Sequence, residues 1–203
     1  MANHLLLFIK NPQLGRVKTR LAATVGDEMA LEFYQRLLDF TRQVALETEA
    51  ERHLFYSDFV DETDDWPARF FQKKKQSGGD LGERMKAAFQ SVFNKNDSIF
   101  YKNKVVIIGS DCAQLSAEIL ESAFEKLETA PFVIGPSLDG GYYLLGMNRF
   151  EPSVFDGIEW SSDSVFQKTM KKMAVLGLET SLLPLLSDID NEADWLEFAR
   201  HLH

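Results

Sequence analysis

The chain has 203 residues, with 31 acidic against 22 basic side chains, a formal net charge of −9 and 45% hydrophobic residues. This is ordinary composition for a soluble globular protein, and chains of this length bury about 70% of their unfolded surface, so we expect one domain over residues 1–203. The negative charge disfavours nucleic acid and anionic membranes as partners. No apolar run approaches the roughly 20 residues that span a bilayer.

Cysteine usage and the N-terminal segment favour a cytoplasmic protein. Cys112 is the single cysteine, so disulfides within the chain and cysteine-rich zinc sites are excluded. Residues 1–10 have no basic stretch ahead of their apolar residues and no small-residue cleavage site, so we do not expect a signal peptide there.

Short apolar segments alternate with longer amphipathic ones along the chain. The first, Leu5–Ile9, is a continuous apolar run typical of a strand buried on both faces. Further strands are predicted at His53–Tyr56, Val105–Ile108, Phe132–Ile134, Tyr142–Leu145 and Thr180–Leu183. Helices are predicted at Asp27–Leu46, Leu81–Phe93, Ser116–Leu127, from Ser161 or Ser162 to Gly177, and from Asp190 or Asn191 onward. The alternation predicts one α/β domain with a mostly parallel sheet and helices on both faces.

Two charged segments are interpreted as surface features. The acidic residues between Asp58 and Pro67 are typical of a solvated acidic loop rather than a metal site. Lys73-Lys74-Lys75 is interpreted as a solvated edge rather than a binding patch.

A cationic loop, Lys10–Arg20, follows the first strand. Four of its eleven residues are basic and none is acidic. Glycine lets backbone N–H groups approach phosphate oxygens, while lysine and arginine supply charge. Ligands of open α/β sheets bind beyond the carboxyl ends of the strands. We therefore predict an anion site here, against the competing interpretation of a surface loop with scattered basic residues. A P-loop is excluded because Val17 stands where that motif has glycine.

Three further segments place polar residues after predicted strands. Asp111 follows the strand Val105–Ile108 and suits a carboxylate that holds Mg²⁺ against a phosphate, or a turn residue. Cys112 is interpreted as a small packing residue because no histidine stands in a recognisable partner motif. Asp139-Gly140-Gly141 is typical of a hairpin, and its second glycine favours ligand approach. Asp188-Ile189-Asp190 directs both carboxylates the same way if it is extended, although helix capping explains much of it.

Five segments together resemble a known family. They are Gly15–Ala22, Gly79–Met85, Gly109–Cys112, Asp139–Tyr143 and Asp188–Asp190, and their order is that of the radical-SAM/selenodomain-associated transferases, a group similar to nucleotide-diphospho-sugar transferases. More distantly the chain resembles the guanylyl- and cytidylyltransferases of cofactor biosynthesis. The resemblance implies a Rossmann-like fold of the GT-A type and a transferase that uses a nucleotide or nucleotide sugar with Mg²⁺ or Mn²⁺. The acceptor, the oligomeric state and the choice between nucleotidyl and glycosyl transfer stay open.

The resemblance also implies roles for individual residues. Asp111 would hold the metal, with Asp190 as a second carboxylate, and Lys18 and Asp111 would carry catalysis. The substrate-binding set would be Lys10, Gly15, Arg16, Lys18, Arg20, Gly79, Asp139, Gly140 and Gly141. Trp160-Ser161 and Thr169 match a further family segment without an assigned role. Ala113 replaces the group's usual proline, and a single aspartate stands at the metal position, so the alternative is a nucleotide-binding module without turnover.

Overall fold

The computed structural model describes residues 2–94, 103–189 and 191–199, and a seven-stranded sheet forms its centre. The strands are β1 (Asn3–Ile9), β2 (Glu51–Tyr56), β3 (Phe71–Lys75), β4 (Lys104–Ile108), β5 (Phe132–Pro136), β6 (Tyr142–Met147) and β7 (Thr180–Leu182). Their order across the sheet is β3-β2-β1-β4-β6-β5-β7, and β6 alone among these seven runs antiparallel to its neighbours. The prediction of a mostly parallel sheet is confirmed.

Helices cover both faces of the sheet, as the alternating pattern predicts. They are α1 (Thr19–Val25), α2 (Asp27–Glu47), α3 (Leu81–Phe93), α4 (Ala117–Thr129), α5 (Val165–Val175) and α6 (Glu192–Ala199), with a 3-10 turn over Pro152–Phe155. Residues of α2 and α4 pack with Leu5 and Leu7 of β1 on one face. Residues of α3 and α5 pack with Leu6 on the other, because successive side chains of a strand point to opposite faces. No helix in the described ranges is long and apolar enough to cross a membrane.

The sheet edge at β3 differs from the sequence-based interpretation. Lys73-Lys74-Lys75 does lie on an edge strand, but the Lys73 side chain is buried rather than solvated. Its ammonium lies 2.7 Å from a carboxylate oxygen of Asp64 and donates to the carbonyl oxygen of Asp61, also at 2.7 Å. The acidic loop therefore folds back over β3 and supplies the counter-charge that a buried ammonium needs.

The structure also confirms one predicted helix start, corrects another and lengthens one predicted turn. Ser116 caps α4, because its hydroxyl accepts from the backbone N–H of Ile119 at 3.4 Å. Ser164, rather than Ser161 or Ser162, precedes α5. The predicted hairpin joins β5 and β6 through a loop over residues 137–141, longer than the two-residue turn that Asp-Gly suggests. Asp190, predicted as a cap and a metal ligand, lies outside the described residues.

Candidate functional site

A cleft opens at the carboxyl ends of β1 and β4, next to the β5–β6 turn. It has two adjoining lobes with volumes of about 570 and 550 Å³. The residues that line both lobes are Lys10, Tyr34, Leu81, Asp111, Asp139, Tyr142, Ser161 and Asp188. This is the position at which open α/β sheets bind ligands, because parallel strands end together there.

An ion pair between Lys18 and Asp111 lies in this cleft. The Lys18 ammonium is 2.6 Å from Oδ1 of Asp111 and donates to the carbonyl oxygen of Ile189 at 2.7 Å. The Lys18 side chain is only 7% exposed, whereas the Asp111 side chain is 49% exposed. The pair is therefore enclosed on the lysine side and open to a ligand on the carboxylate side.

The backbone around the cleft includes two uncommon conformations. Lys18 has φ +47° and ψ +44°, and Ser161 has φ +64°. They are the two non-glycine residues with positive φ in the described ranges, and both line the cleft. Left-handed conformations cost a non-glycine residue free energy and concentrate at functional sites, so these two residues favour a functional assignment for this cleft.

Tyr34 of α2 ties the ends of the two central strands together. Its hydroxyl accepts from the backbone N–H of Lys10 at 2.8 Å and lies 3.1 Å from the hydroxyl oxygen of Ser110. Burial raises the pKa of Tyr34 well above its usual range, as does the charge of Asp111, so the phenol stays protonated. The spacing between the cationic loop and the Asp111 turn is thereby fixed.

Two carboxylates, those of Asp111 and Asp188, act electrostatically on one buried thiol. Burial raises the pKa of Cys112 to about 12, and the charges of Asp188 and, less strongly, Asp111 add to this. The backbone holds the two segments together, because the N–H of Ile189 donates to the carbonyl oxygen of Asp111 at 3.0 Å. Two hard oxygen donors on adjoining segments fit Mg²⁺ or Mn²⁺. The protonated thiol is no nucleophile at neutral pH.

The structure brings most of the predicted site residues to the cleft. Lys10, Lys18, Arg20, Gly79, Asp111, Asp139 and Gly141 line it. Gly15, Arg16 and Gly140 are not among the lining residues. Gly15, at φ +71°, sits in a turn closed by a bond from the N–H of Arg16 to the carbonyl oxygen of Gln13, at 3.1 Å. A Cβ atom on Gly140 would lie 1.9 Å from the Asp163 carbonyl oxygen, so this glycine permits close packing of two loops.

Local structure explains part of two motifs. The Asp80 side chain caps α3 by accepting from the Glu83 N–H at 2.8 Å, and the Glu83 carboxylate accepts from the Gly79 N–H at 2.6 Å. Asp139 accepts from the N–H of Gly141 at 2.9 Å and from the hydroxyl of Ser137, which holds its own turn together. Their roles toward a substrate stay predictions.

Sequence reasoning missed the packing of Trp160 against α3 at the wall of the cleft. A Cβ atom on Gly82 would lie 2.2 Å from Nε1 of Trp160, so the indole packs directly on the helix backbone. Trp160 in turn lines the second lobe. The signal was present, because a glycine inside a predicted amphipathic helix costs stability and implies a close neighbour.

The chain is similar to several solved structures. A protein of Desulfovibrio desulfuricans G20, provisionally described as a nucleotide-diphospho-sugar transferase, is 35% identical over 94% of this chain and 84% of its own, with a TM-score of 0.84. The inositol-1-phosphate CTP transferase of T. maritima is 14% identical over 98% and 96%, with a TM-score of 0.59. The manganese complex of Rv0371c from Mycobacterium tuberculosis H37Rv is 12% identical over 98% and 100%, with a TM-score of 0.54.

The two more distant likenesses concern the fold alone, and together with the 35% identical relative they agree with the GT-A-like fold that the resemblance implies. None of the curated proteins matches the sequence. A family model described as "Uncharacterized protein conserved in bacteria (DUF2064)" matches residues 38–162, well over half of the chain. With this match and the 35% identical relative, the chain belongs to the DUF2064 family.

Proposed function

We propose that this protein is a metal-dependent transferase that moves a nucleotidyl or glycosyl group from a nucleotide or nucleotide sugar to an acceptor. The observation that carries the proposal is the Lys18–Asp111 pair, open on its carboxylate side, in a cleft at the carboxyl ends of β1 and β4. The description of the D. desulfuricans relative as a nucleotide-diphospho-sugar transferase supports the same class of chemistry.

The cations of the cleft suit the phosphates of such a substrate. Lys10, Lys18 and Arg20 come from the cationic loop and line the second lobe. Phosphoryl and glycosyl transfer from a nucleotide require mainly positioning and neutralisation of the phosphate charge. The Lys18 ammonium now lies 2.6 Å from the carboxylate of Asp111, and a divalent cation bound to that carboxylate would release it toward a phosphate.

The carboxylates of Asp111 and Asp188 suit a divalent cation on the other side of the phosphates. We propose Asp111 as the principal ligand, with a second carboxylate from the Asp188–Asp190 segment. A bound Mg²⁺ or Mn²⁺ would neutralise phosphate charge there. Manganese in the Rv0371c complex is consistent with this choice of metal for the fold.

The two lobes suit two substrates. Each has a volume within the range of small-molecule sites, and both share Asp111 as a wall. In nucleotidyl transfer an acceptor oxygen would attack the α-phosphorus of a nucleoside triphosphate, and pyrophosphate would leave. In glycosyl transfer it would attack the anomeric carbon of a nucleotide sugar, and the nucleoside diphosphate would leave.

A second candidate is a nucleotide-binding module of the same fold without turnover. The observation that favours it is the Lys18 ammonium itself, which already neutralises the carboxylate of Asp111 at 2.6 Å. In that case nucleotide would bind to the lysine without a metal.

A ligand screen followed by product analysis tests both candidates. The melting temperature is measured with nucleoside triphosphates and nucleotide sugars, each with and without Mn²⁺ or Mg²⁺. Stabilising ligands are then incubated with a panel of small phosphorylated and polyol acceptors, and the products are identified by mass spectrometry. Release of pyrophosphate identifies nucleotidyl transfer, and release of a nucleoside diphosphate identifies glycosyl transfer. Metal-independent stabilisation without product would favour the module, and no stabilisation by any nucleotide would contradict both.

A further inference from the structure

A cluster of three potential metal ligands lies at the amino ends of β1 and β2, at the sheet edge opposite the cleft. His4 of β1 pairs in register with Glu51 of β2, and His53 follows two residues later on the same face. Nδ1 of His4 is 3.2 Å from Nε2 of His53 and 3.7 Å from Oε2 of Glu51. One ligand atom from each residue lies within 4.8 Å of the other two.

Two of these separations, 3.2 and 3.7 Å, lie close to those between zinc ligands. Zinc–nitrogen and zinc–carboxylate bonds are 2.0–2.2 Å long and tetrahedrally arranged, so neighbouring ligand atoms lie about 3.3 to 3.6 Å apart. A direct hydrogen bond between the two imidazole rings also explains the 3.2 Å separation. It does not explain why the carboxylate of Glu51, a residue with a 58% exposed side chain, points at the same nitrogen of His4.

The two histidines of the cluster are buried, and its carboxylate is exposed. Each histidine residue is 3% exposed, whereas the side chain of Glu51 is 58% exposed. An imidazole ring binds a metal through the lone pair of an unprotonated nitrogen. The ammonium of Lys74, a neighbouring cation, lies 5.3 Å from the centre of the Phe55 ring. A metal at this cluster would therefore be reached from solvent on the side of Glu51.

We propose that His4, Glu51 and His53 form a Zn²⁺ site that joins the first two strands at this edge. Two imidazoles and one carboxylate are a ligand set that zinc accepts, whereas Mg²⁺ and Mn²⁺ prefer oxygen ligands. The site would therefore select a different metal from the carboxylates of the cleft. The zinc site depends on no residue of the cleft, so it can be tested independently of the transferase proposal.

Calorimetric titration of the chelator-treated protein with Zn²⁺ tests the site. Two other histidines, His201 and His203, could bind zinc themselves, so the parent for all measurements is the His201→Gln/His203→Gln variant. We expect one equivalent of Zn²⁺ to bind this parent and to raise its melting temperature, and we expect Mg²⁺ at the same concentration not to compete with Zn²⁺ for this site. We expect Asp111→Asn, introduced into the parent, to leave Zn²⁺ binding unchanged.

A matched pair of carboxylate variants assigns the site without disturbing the core. Glu51→Gln and Glu49→Gln each remove one exposed carboxylate from the same segment, but Glu49 is not part of the cluster. We expect Glu51→Gln to weaken Zn²⁺ binding at least tenfold and Glu49→Gln to leave it unchanged. We expect His4→Gln and His53→Gln to abolish it.

Three outcomes would overturn the proposal. The parent could fail to bind Zn²⁺, which would leave the interaction between the rings as a hydrogen bond only. Glu49→Gln could weaken binding as much as Glu51→Gln does, which would indicate non-specific acidic binding. Binding could also disappear with Asp111→Asn and survive His53→Gln, which would place the zinc in the cleft.

Discussion

Lys18 and Lys73 are both buried lysines that pair with an aspartate, but the two pairs have different surroundings. The Lys73 side chain is 5% exposed and that of its partner Asp64 is 19% exposed. The Lys18 side chain is 7% exposed, while that of Asp111 is 49% exposed. The first pair is closed on both sides, and the second faces a cleft on its carboxylate side.

The carboxylates of Asp64 and Asp111 also differ in the hydrogen bonds that they accept. Asp64 also accepts from the hydroxyl of Tyr56 at 2.5 Å and from the N–H of Trp66 at 3.0 Å, so protein groups satisfy both of its oxygens. Asp111 accepts from Lys18 through one oxygen and is bordered by the open volume of both lobes. A saturated carboxylate stabilises the fold, whereas an unsaturated one at a sheet edge is available to a ligand. Each prediction below tests one side of this contrast.

The largest effect is expected from Asp64→Ala. The substitution leaves the buried Lys73 ammonium without its counter-charge and the Tyr56 hydroxyl without its acceptor. Removal of one partner from a buried pair costs about 3 to 5 kcal/mol in the free energy of unfolding. For a chain of this size that corresponds to roughly 6 to 20 °C in melting temperature.

Asp65→Ala is the matched control, because Asp65 is the exposed neighbour of Asp64. It should change the melting temperature by less than about 2 °C. The nucleotide-induced rise in melting temperature should be the same in both variants and in the wild type. Loss of that rise in Asp64→Ala would mean that the closed pair also serves the ligand site.

Asp111→Asn should affect ligand binding more than stability. Asparagine keeps an oxygen for the Lys18 ammonium but loses the negative charge, which should cost about 1 kcal/mol because the carboxylate is half-exposed. The metal-dependent part of the nucleotide response should disappear. In the wild type the whole nucleotide response in the presence of metal is about 2.7 kcal/mol at a hundredfold excess of nucleotide over Kd.

Thermal shift measurements with and without Mn²⁺ check this prediction. Had Asp111 been a turn residue alone, asparagine would preserve stability and the ligand response alike, because asparagine caps nearly as well as aspartate. An unchanged Mn²⁺-dependent response would therefore remove Asp111 from the proposed site.

The contrast between the pairs also shows what the sequence can predict. The runs Leu5–Ile9 and Val105–Ile108 predict buried parallel strands because both faces of such strands are apolar. From the strand ends alone, Asp111 and the cationic loop can be placed at one edge of the sheet. The Lys73–Asp64 pair could not be predicted, since β3 has a polar sequence with a buried lysine that depends on the fold of the preceding loop.

Contacts between residues that lie far apart in the sequence could not be predicted either. His4 and His53 are 49 residues apart, and their approach depends on the register of β1 against β2, which no local pattern reveals. The helix α1 was missed because seven residues give too short a periodic signal. Asp188 belongs to the predicted acidic segment, but only the fold shows that it lines the cleft.

Lys18→Met separates the contribution of the cation from that of the carboxylate. The variant removes the ammonium that would face a phosphate, so nucleotide affinity should fall by about 2 kcal/mol, roughly thirtyfold. Binding of Mn²⁺ alone should persist or strengthen, because Asp111 loses a competing positive charge. The two variants of the pair thus have opposite effects on the metal.

Arg16→Met is the control for the loss of a loop cation, because Arg16 is exposed and is not among the lining residues of the cleft. Calorimetry with Mn²⁺ and with nucleotide measures both affinities. A larger loss of nucleotide affinity in Arg16→Met than in Lys18→Met would place the phosphates on the outer side of the loop and contradict the cleft as their site.

The smallest expected effect is on the pH dependence of stability, and it comes from the thiol of Cys112 next to the Lys18–Asp111 pair. Burial, first of all, and the charges of Asp188 and Asp111 raise the pKa of Cys112 to about 12, whereas an unfolded cysteine titrates near 8.5. Because the pKa of Cys112 is higher in the folded chain than in the unfolded chain, the contribution of the protonated thiol to stability is fully present below about pH 8.5. This contribution is lost as the pH rises above about 8.5, because the unfolded chain then releases the proton first. Between about pH 8 and 9.5 the free energy of unfolding should therefore fall by about 1 kcal/mol more in the wild type than in Cys112→Ala.

Urea unfolding of both proteins at the two pH values measures this difference, and thiol labelling at pH 8 should be slow until the protein unfolds. Equal pH dependence in the two proteins, together with fast labelling of the folded wild type, would show that Cys112 is accessible and ionised and that the carboxylates beside it do not enclose it.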